Sequence, residues 1–297
     1  MSAYALFDIT LKSRRDVSPS LACFTFGGDI EPLTTFAPDQ RVKLFFAADR
    51  AAPRLAQCLA GQDDWYAAYR ALSDDERPAM RTYTIRAVRR DPVEVDIEFV
   101  LHGDSGPATR WATTAQPGDS LSISAPVLGG DLVGFEWKPS PHIDDIVLVA
   151  DETGLPAAIG IIEELDARPV KPRVRAVFET PLAADRQTLP GWVEALWTSR
   201  ENGHVARVGQ TLIDGVEALN LQTAALPDAA PAETDPDVDT EIYWLPATLA
   251  AEDRLYVWIA AESAVVRDIR RRLVNERGLS KRSVAAMGYW REGRVLE

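Results

Sequence analysis

Two periods of hydrophobic spacing divide the chain. In the first half the period is two. Val95, Ile97, Phe99 and Leu101 alternate with Glu94, Asp96 and Glu98, which predicts a strand with one face in a core and the other in water. Arg90, Asp91 and Pro92 form a turn signal before it, and Pro117, Gly118 and Asp119 form another. Further short strands are predicted at residues 44–46, 82–87 and 121–124. Strands this short and this closely spaced predict a closed antiparallel barrel. One helical interruption is predicted where Trp65, Tyr66, Tyr69 and Leu72 recur at helix spacing.

The second half changes character near Pro139, Ser140 and Pro141. Residues 146–150 are an unbroken apolar run, as expected of a strand covered on both faces. A helix is predicted over 155–165, strands over 174–178, 204–208 and 255–261, and a helix over 263–274. Strands alternating with helices imply a parallel α/β sheet. The expected plan is two-domain: an antiparallel β-barrel over 1–138, then an α/β parallel-sheet domain over 139–297. An acidic insertion is expected at about 211–246, where eight acidic residues occur without Lys or Arg.

Composition narrows the function classes. The chain has 297 residues and a net charge of −13, which argues against nonspecific binding to nucleic acid or to anionic membrane. No apolar stretch approaches transmembrane length and the N-terminus lacks a signal-peptide core, so a cytoplasmic protein with no membrane insertion is expected; a monomer is the default expectation, with the oligomeric state left open. Cys23 and Cys58 have neither metal-ligand nor disulfide-framework spacing and read as reduced thiols. His102, His142 and His204 lie far apart, so no metal site is expected. Neither a GxSxG nor a GxxxxGK[ST] motif is present. Between residues 266 and 294, nine basic residues stand against three acidic ones. That run is either a solvated helix face or a local anion-attracting rim.

Three stretches carry candidate chemistry. RTYTIR at 81–86 puts Arg81 and Tyr83 on one strand face and Thr84 on the other. A guanidinium can hold a phosphate, a phenol ring can stack on a planar ring, and a threonine can donate a hydrogen bond. The same pattern also suits a solvated edge strand. HGDSGPATRWA at 102–112 follows the alternating strand. There Pro107 suits a first helical position, and the free N–H groups of a short helix would accept a diphosphate. DETGLPA at 151–157 lies at the C-terminal end of the buried strand, where open α/β sheets bind ligands, yet its single glycine is not a dinucleotide fingerprint.

Taken in order, these motifs, with Pro-Gly-Asp at 117–119 and GYWREG at 288–293, resemble the siderophore-interacting proteins. These are flavin-dependent ferric-siderophore reductases related to the ferredoxin–NADP reductase superfamily. The resemblance implies a six-stranded FAD-binding barrel and an NAD(P)H-binding α/β domain. It implies that Arg81 meets the FAD diphosphate or ribityl region, that Tyr83 stacks on the isoalloxazine and that Thr84 bonds near its reactive nitrogen. Tyr83 and Thr84 are thereby the catalytic candidates. Gly106, Pro107, Ala108 and Thr109 match a diphosphate turn, and His102 and Trp111 would line the adenosine end. Asp151, Glu152 and Thr153 would lie near flavin and nicotinamide, Glu262 follows the late strand as a further cofactor-binding candidate, and Tyr289 and Trp290 would return to the flavin.

The implied activity is reduction of a ferric siderophore by NADH or NADPH through FAD. An anionic ferric complex would be held by Lys43, Arg291 and Arg294, with Arg86 and Arg110 in reserve. A flavin reductase with another acceptor, a siderophore-binding flavoprotein without catalysis and a ferredoxin-type donor stay open. The choice of nicotinamide is open too: Glu179 would favour a ribose hydroxyl and Arg186 a 2′-phosphate. The sequence has Ala260, Ala261 and Glu262 where the family commonly has Ala-Gly-Glu, so the methyl of Ala261 is expected to crowd the nicotinamide.

Overall fold

A computed structural model gives the fold and describes residues 3–49, 54–62, 64–101, 106–202, 207–221, 236 and 241–294. The chain divides into two units, Met1–Phe135 and Glu136–Leu296. The first is a closed six-stranded barrel of β1 (Tyr4–Ser18), β2 (Leu21–Gly27), β3 (Arg41–Phe46), β4 (Ala79–Arg90), β5 (Val93–Val100) and β6 (Ser120–Pro126). The strand order is β1-β2-β5-β4-β3-β6 and each pairing is antiparallel.

The alternation in β5 explains its two faces. Val95, Ile97 and Phe99 join Phe24, Phe26 and Leu44 in the barrel core. The intervening acids pair with arginines of β4: Arg89 Nη1 reaches Asp96 Oδ2 at 2.6 Å, and Arg86 Nε lies 3.4 Å from Glu98 Oε1. Between β3 and β4, α1 (Leu55–Cys58) and α2 (Trp65–Ala71) cover a second apolar cluster, in which Phe45 meets Trp65 and Tyr69 edge-on at 6.0 and 5.1 Å. Between β5 and β6, α3 (Pro107–Thr114) adds Trp111 to the barrel core.

The second unit comprises β7 (Asp145–Ala150), α4 (Leu155–Asp166), β8 (Arg173–Thr180), β9 (Val193–Ser199), α5 (Gln210–Ala218), β10 (Trp244–Leu245), β11 (Leu255–Glu262), α6 (Ser263–Arg271) and β12 (Val284–Trp290). Its strand order is β10-β12-β11-β7-β8-β9; β10 runs antiparallel to β12 and the other neighbours pair in parallel. The unbroken apolar run of β7 is used on both sides. Ile146 and Leu148 pack with Ile161 and Leu165 of α4, while Val147 and Val149 pack with Leu212 of α5 and Ile269 of α6.

Three expectations change. Of the strand expected at 204–208, residues 204–206 lie outside the described residues, and Arg207 and Val208 are bend and turn residues ahead of α5. The strand beside β8 is β9, whose Val193, Ala195 and Trp197 pack against the sheet core. The segment 211–246 is not an insertion throughout. Leu212, Ile213 and Val216 of α5 and the fully buried Tyr243 belong to the core, and Trp244 and Leu245 pair with β12; residues 222–235 and 237–240 lie outside the described residues. Part of the basic run is paired: Arg267 with Asp268, Arg272 with Glu217, Arg282 with Glu252 and Asp253, and Arg291 with Glu262. Among the described residues, no helix is long and apolar enough to cross a membrane.

Candidate functional site

The strip on β4 is built by strand alternation. Tyr83 pairs with Val42 and Arg81 with Leu44 of β3, so both lie on the side of the barrel core. The Tyr83 ring rests 4.4 Å from the Phe99 centroid and 6.4 Å from that of Phe46. Burial pushes its phenol well up, and the positive charge of Arg81 pulls it partly back. Arg81 Nη1 donates to the Met80 carbonyl at 2.7 Å. Thr84 turns to the opposite face, opposite Arg41, and is buried. Its side chain therefore does not share the Arg81–Tyr83 face.

The same aromatic floor carries α3. Trp111 meets Phe46 at 6.2 Å and Phe99 at 5.9 Å, the two rings that support Tyr83. Gly106 precedes Pro107 in ordinary extended backbone and contributes no side-chain cap, and a Cβ placed on it would meet nothing within 4 Å. No side chain from the cap position therefore satisfies the N–H groups of Ala108 and Thr109. Such a helix start takes anions. A guanidinium, an aromatic ring and an anion-accepting helix start fit a flavin dinucleotide. His102 lies outside the described residues. Trp111 is buried against Phe24, Phe26, Phe46 and Phe99 and belongs to the barrel core.

In the second unit, Asp151 follows β7 and gathers three segments. Its Oδ1 accepts from the Thr153 N–H at 2.8 Å and the Thr153 hydroxyl at 2.6 Å; its Oδ2 accepts from the Glu262 N–H at 3.0 Å and Trp290 Nε1 at 2.7 Å. Burial, then the charge of Glu152, pushes its carboxyl up to about 7, against the hydrogen bonds from Thr153 and Trp290. Glu262 caps α6, accepting from the Ala264 and Val265 N–H groups with Oε2, while its Oε1 pairs with Arg291 at 2.7 Å. Gly154 allows close approach of two strands' ends, since a Cβ there would lie 2.4 Å from the Ala260 carbonyl oxygen of β11.

Residues 10–130 match the model of the siderophore-interacting FAD-binding domain, and residues 143–293 match that of the siderophore-interacting protein. The chain belongs to the siderophore-interacting protein family. A siderophore utilization protein from T. fusca has a similar crystal structure, with a TM-score of 0.71, 28% identity, and coverage of 100% of this chain and 97% of that one. Ferric vibriobactin reductase ViuB of Vibrio cholerae is 25% identical over 292 residues, covering 96% of this chain and 89% of its own. The NADPH-dependent ferric-chelate reductase of Escherichia coli is 29% identical over 216 residues, covering 72% of this chain and 67% of its own.

For a siderophore-interacting protein, the cations expected to hold the ferric complex divide sharply. Lys43 lies with Arg41 and Thr82 on the outer face of β3 and β4, and its Nζ donates to Thr82 Oγ1 at 2.6 Å. Burial, then the charge of Arg41, lowers its pKa. Arg294 is exposed. Arg291 is ion-paired with Glu262 at 2.7 Å. Arg86 is likewise committed to Glu98, beside which it is mostly buried. Ala261 is corrected, because its methyl is buried in the core with Val149, Ile259 and Val265 rather than exposed to a ligand.

One residue of this edge has no counterpart in the sequence reading. Arg200, just after β9, bridges Glu152 at 2.5 Å and Glu179 at 3.0 Å. The period-two pattern of Val193, Ala195 and Trp197 would have placed β9, and with it Arg200 at the sheet's C-terminal edge. Gly288 opens the GYWREG motif, and packing gives the reason for a glycine there: a Cβ would meet Ser263 Oγ at 2.3 Å.

Proposed function

We propose that this chain draws electrons from a reduced nicotinamide nucleotide and delivers them, with FAD as cofactor, to the iron of a ferric siderophore. The observation that carries the proposal is the strip on β4: Tyr83 and Arg81 on one face, over the Phe46 and Phe99 floor that also supports α3. The ferric reductases among its relatives support the choice of acceptor. A bound flavin supplies the exchange between two-electron hydride chemistry and single-electron transfer.

The chain's own residues bind and orient. Arg81 and the N–H groups of Ala108 and Thr109, behind Gly106 and Pro107, hold the diphosphate. The Tyr83 ring covers the planar ring system, and the Thr84 backbone borders it. Asp151, Thr153, Glu262 and Trp290 form the wall of the nicotinamide site at the C-terminal edge of the sheet. Lys43, on the outer face of β3 beside Arg41, attracts an anionic ferric complex, and Arg294 is a second, separate candidate for that role. Hard oxygen donors hold Fe³⁺ far better than Fe²⁺, so reduction releases the metal. A nicotinamide gives two electrons and each ferric ion takes one, so each donor serves two complexes.

The test is an anaerobic titration of the purified yellow protein. NADH or NADPH bleaches the flavin band, a ferric siderophore then restores it, and a ferrous-iron chelator records Fe²⁺. Absence of bleaching by both nicotinamides sinks the donor and points to a ferredoxin-type protein. Bleaching without recovery on adding ferric chelates sinks the acceptor.

A further inference from the structure

The C-terminal edge of β7, β8 and β9 is crowded with carboxylates that already occupy its hydrogen-bond donors. Glu179, fully buried at the end of β8, accepts from the N–H of Gly209 at 3.2 Å, the N–H of Leu212 at 3.1 Å and the hydroxyl of Thr211. It thus closes the start of α5 against other anions. Beyond β8, the Leu182 N–H donates to Asp185 Oδ2 at 2.9 Å, and the Ala183 N–H donates to Glu201 Oε2 at 2.8 Å. Arg200 is held between Glu152 and Glu179. These backbone N–H groups and this guanidinium are of the kinds that ordinarily grip a phosphate, and each is taken.

One acceptor is left over. Glu152 is buried, and its Oε2 has no hydrogen-bond partner among the described residues. It stands just after β7, beside the point between β7 and β11 where the strand order reverses and open α/β sheets bind nucleotides. A buried acceptor without a partner is costly until a donor reaches it. A sugar hydroxyl brings a proton to donate, whereas a phosphate brings further negative charge and more acceptors.

We propose that this edge is built for a nucleotide whose ribose hydroxyls are free, which makes NADH rather than NADPH the electron donor. This rests on the nicotinamide donor of the proposed function and names its class. The carboxylates Glu152, Glu179, Asp185 and Glu201 stand against the guanidiniums Arg186 and Arg200, so a 2′-phosphate would enter a net negative field. Arg186 is exposed, where solvent and salt screen its charge.

The test uses the full chain with FAD bound and separates binding from turnover. Calorimetry with 5′-AMP and with adenosine 2′,5′-bisphosphate reads the subsite directly, and anaerobic flavin reduction by NADH and NADPH reads the donor. 5′-AMP is expected to bind about tenfold more tightly than the bisphosphate, and NADH to exceed NADPH in reduction efficiency by about the same factor. Glu152→Gln frees part of the Arg200 charge and narrows both ratios, with FAD content and circular dichroism confirming an intact fold. A bisphosphate that binds as tightly as 5′-AMP, or NADPH that matches NADH, overturns the proposal. If 5′-AMP binds selectively while neither nicotinamide bleaches the flavin, the subsite holds and the donor of the proposed function falls.

Discussion

The indole N–H of Trp290 donates to Oδ2 of Asp151 at 2.7 Å, joining residues 139 positions apart in sequence. The contact ties the end of β12 to the end of β7. A register shift between Ala261 and Glu262 makes it possible, by setting Trp290 opposite Glu262 and skipping Tyr289. Tyr289 turns the other way and stacks on Trp244 at 5.9 Å.

Asp151 predicts a pH dependence. Its carboxyl, ordinarily near pH 4, is raised to about 7 in the fold, first by burial. Folding therefore takes up a proton between roughly pH 4 and pH 7, and the contribution of Asp151 to stability falls as pH rises through that window. Asp151→Asn removes this titration. Urea unfolding at several pH values should show the stability of the native chain, relative to the variant, declining from acid toward neutral pH. A difference constant with pH would refute the assignment.

Gly288→Ala should loosen the same corner. The added Cβ would press on Ser263, whose hydroxyl donates to the Trp290 carbonyl at 2.9 Å. Overpacking of this kind costs about 1–3 kcal/mol. Denaturant unfolding measures the loss, and the Trp290 indole resonance should shift with it; an unmoved resonance at full stability would count against the contact.

Removing the Glu179 carboxylate should detach α5. Glu179→Ala leaves Arg200 with Glu152 alone and strips the first turn of α5 of its acceptor. Breaking a buried pair in this way costs about 3–5 kcal/mol. Amide exchange should accelerate in α5 first. Uniform protection would show that the helix is held by its apolar face without the carboxylate.

Trp111 and Tyr83 should separate core from cofactor. Trp111→Ala opens a cavity among four phenylalanines and should cost about 3–5 kcal/mol of barrel stability. Tyr83→Ala should instead lower FAD occupancy and alter the flavin absorbance, with a smaller loss of stability. FAD content and thermal unfolding of both variants decide the matter; an unchanged flavin spectrum and occupancy in Tyr83→Ala would argue against stacking.

Lys43→Ala should raise KM for an anionic ferric siderophore by about fivefold, the weight of one surface charge contact. Flavin reduction by the nicotinamide should be spared. Steady-state kinetics on both half-reactions provides the check, and equal losses in the two would make Lys43 structural or flavin-linked.

Local patterns were legible wherever one periodicity dominated. Residues 94–101 announced β5 through strict alternation, and residues 146–150 announced β7 through an unbroken apolar run, because burial on one face or two is written directly into side-chain order. β1 and β2 were not read: Lys12, Arg14, Arg15 and Asp16 break the apolar pattern of β1 where it extends into solvent. The acidic stretch at 211–246 misled because charge hid the apolar spacing of Leu212, Ile213 and Val216.

The sequence by itself determined the two-domain plan, the strip of Arg81 and Tyr83 and the helix start at Pro107, since each depends on neighbours within a few residues. Tertiary structure alone decided which charges are already committed. Arg291 to Glu262 and Arg200 to Glu152 and Glu179 are pairings between segments distant in sequence, and Arg86 to Glu98 is fixed by the register of β4 on β5. A charge looks the same in sequence whether it faces water, a ligand or a buried partner. Which of these it meets is set by packing across the sheet.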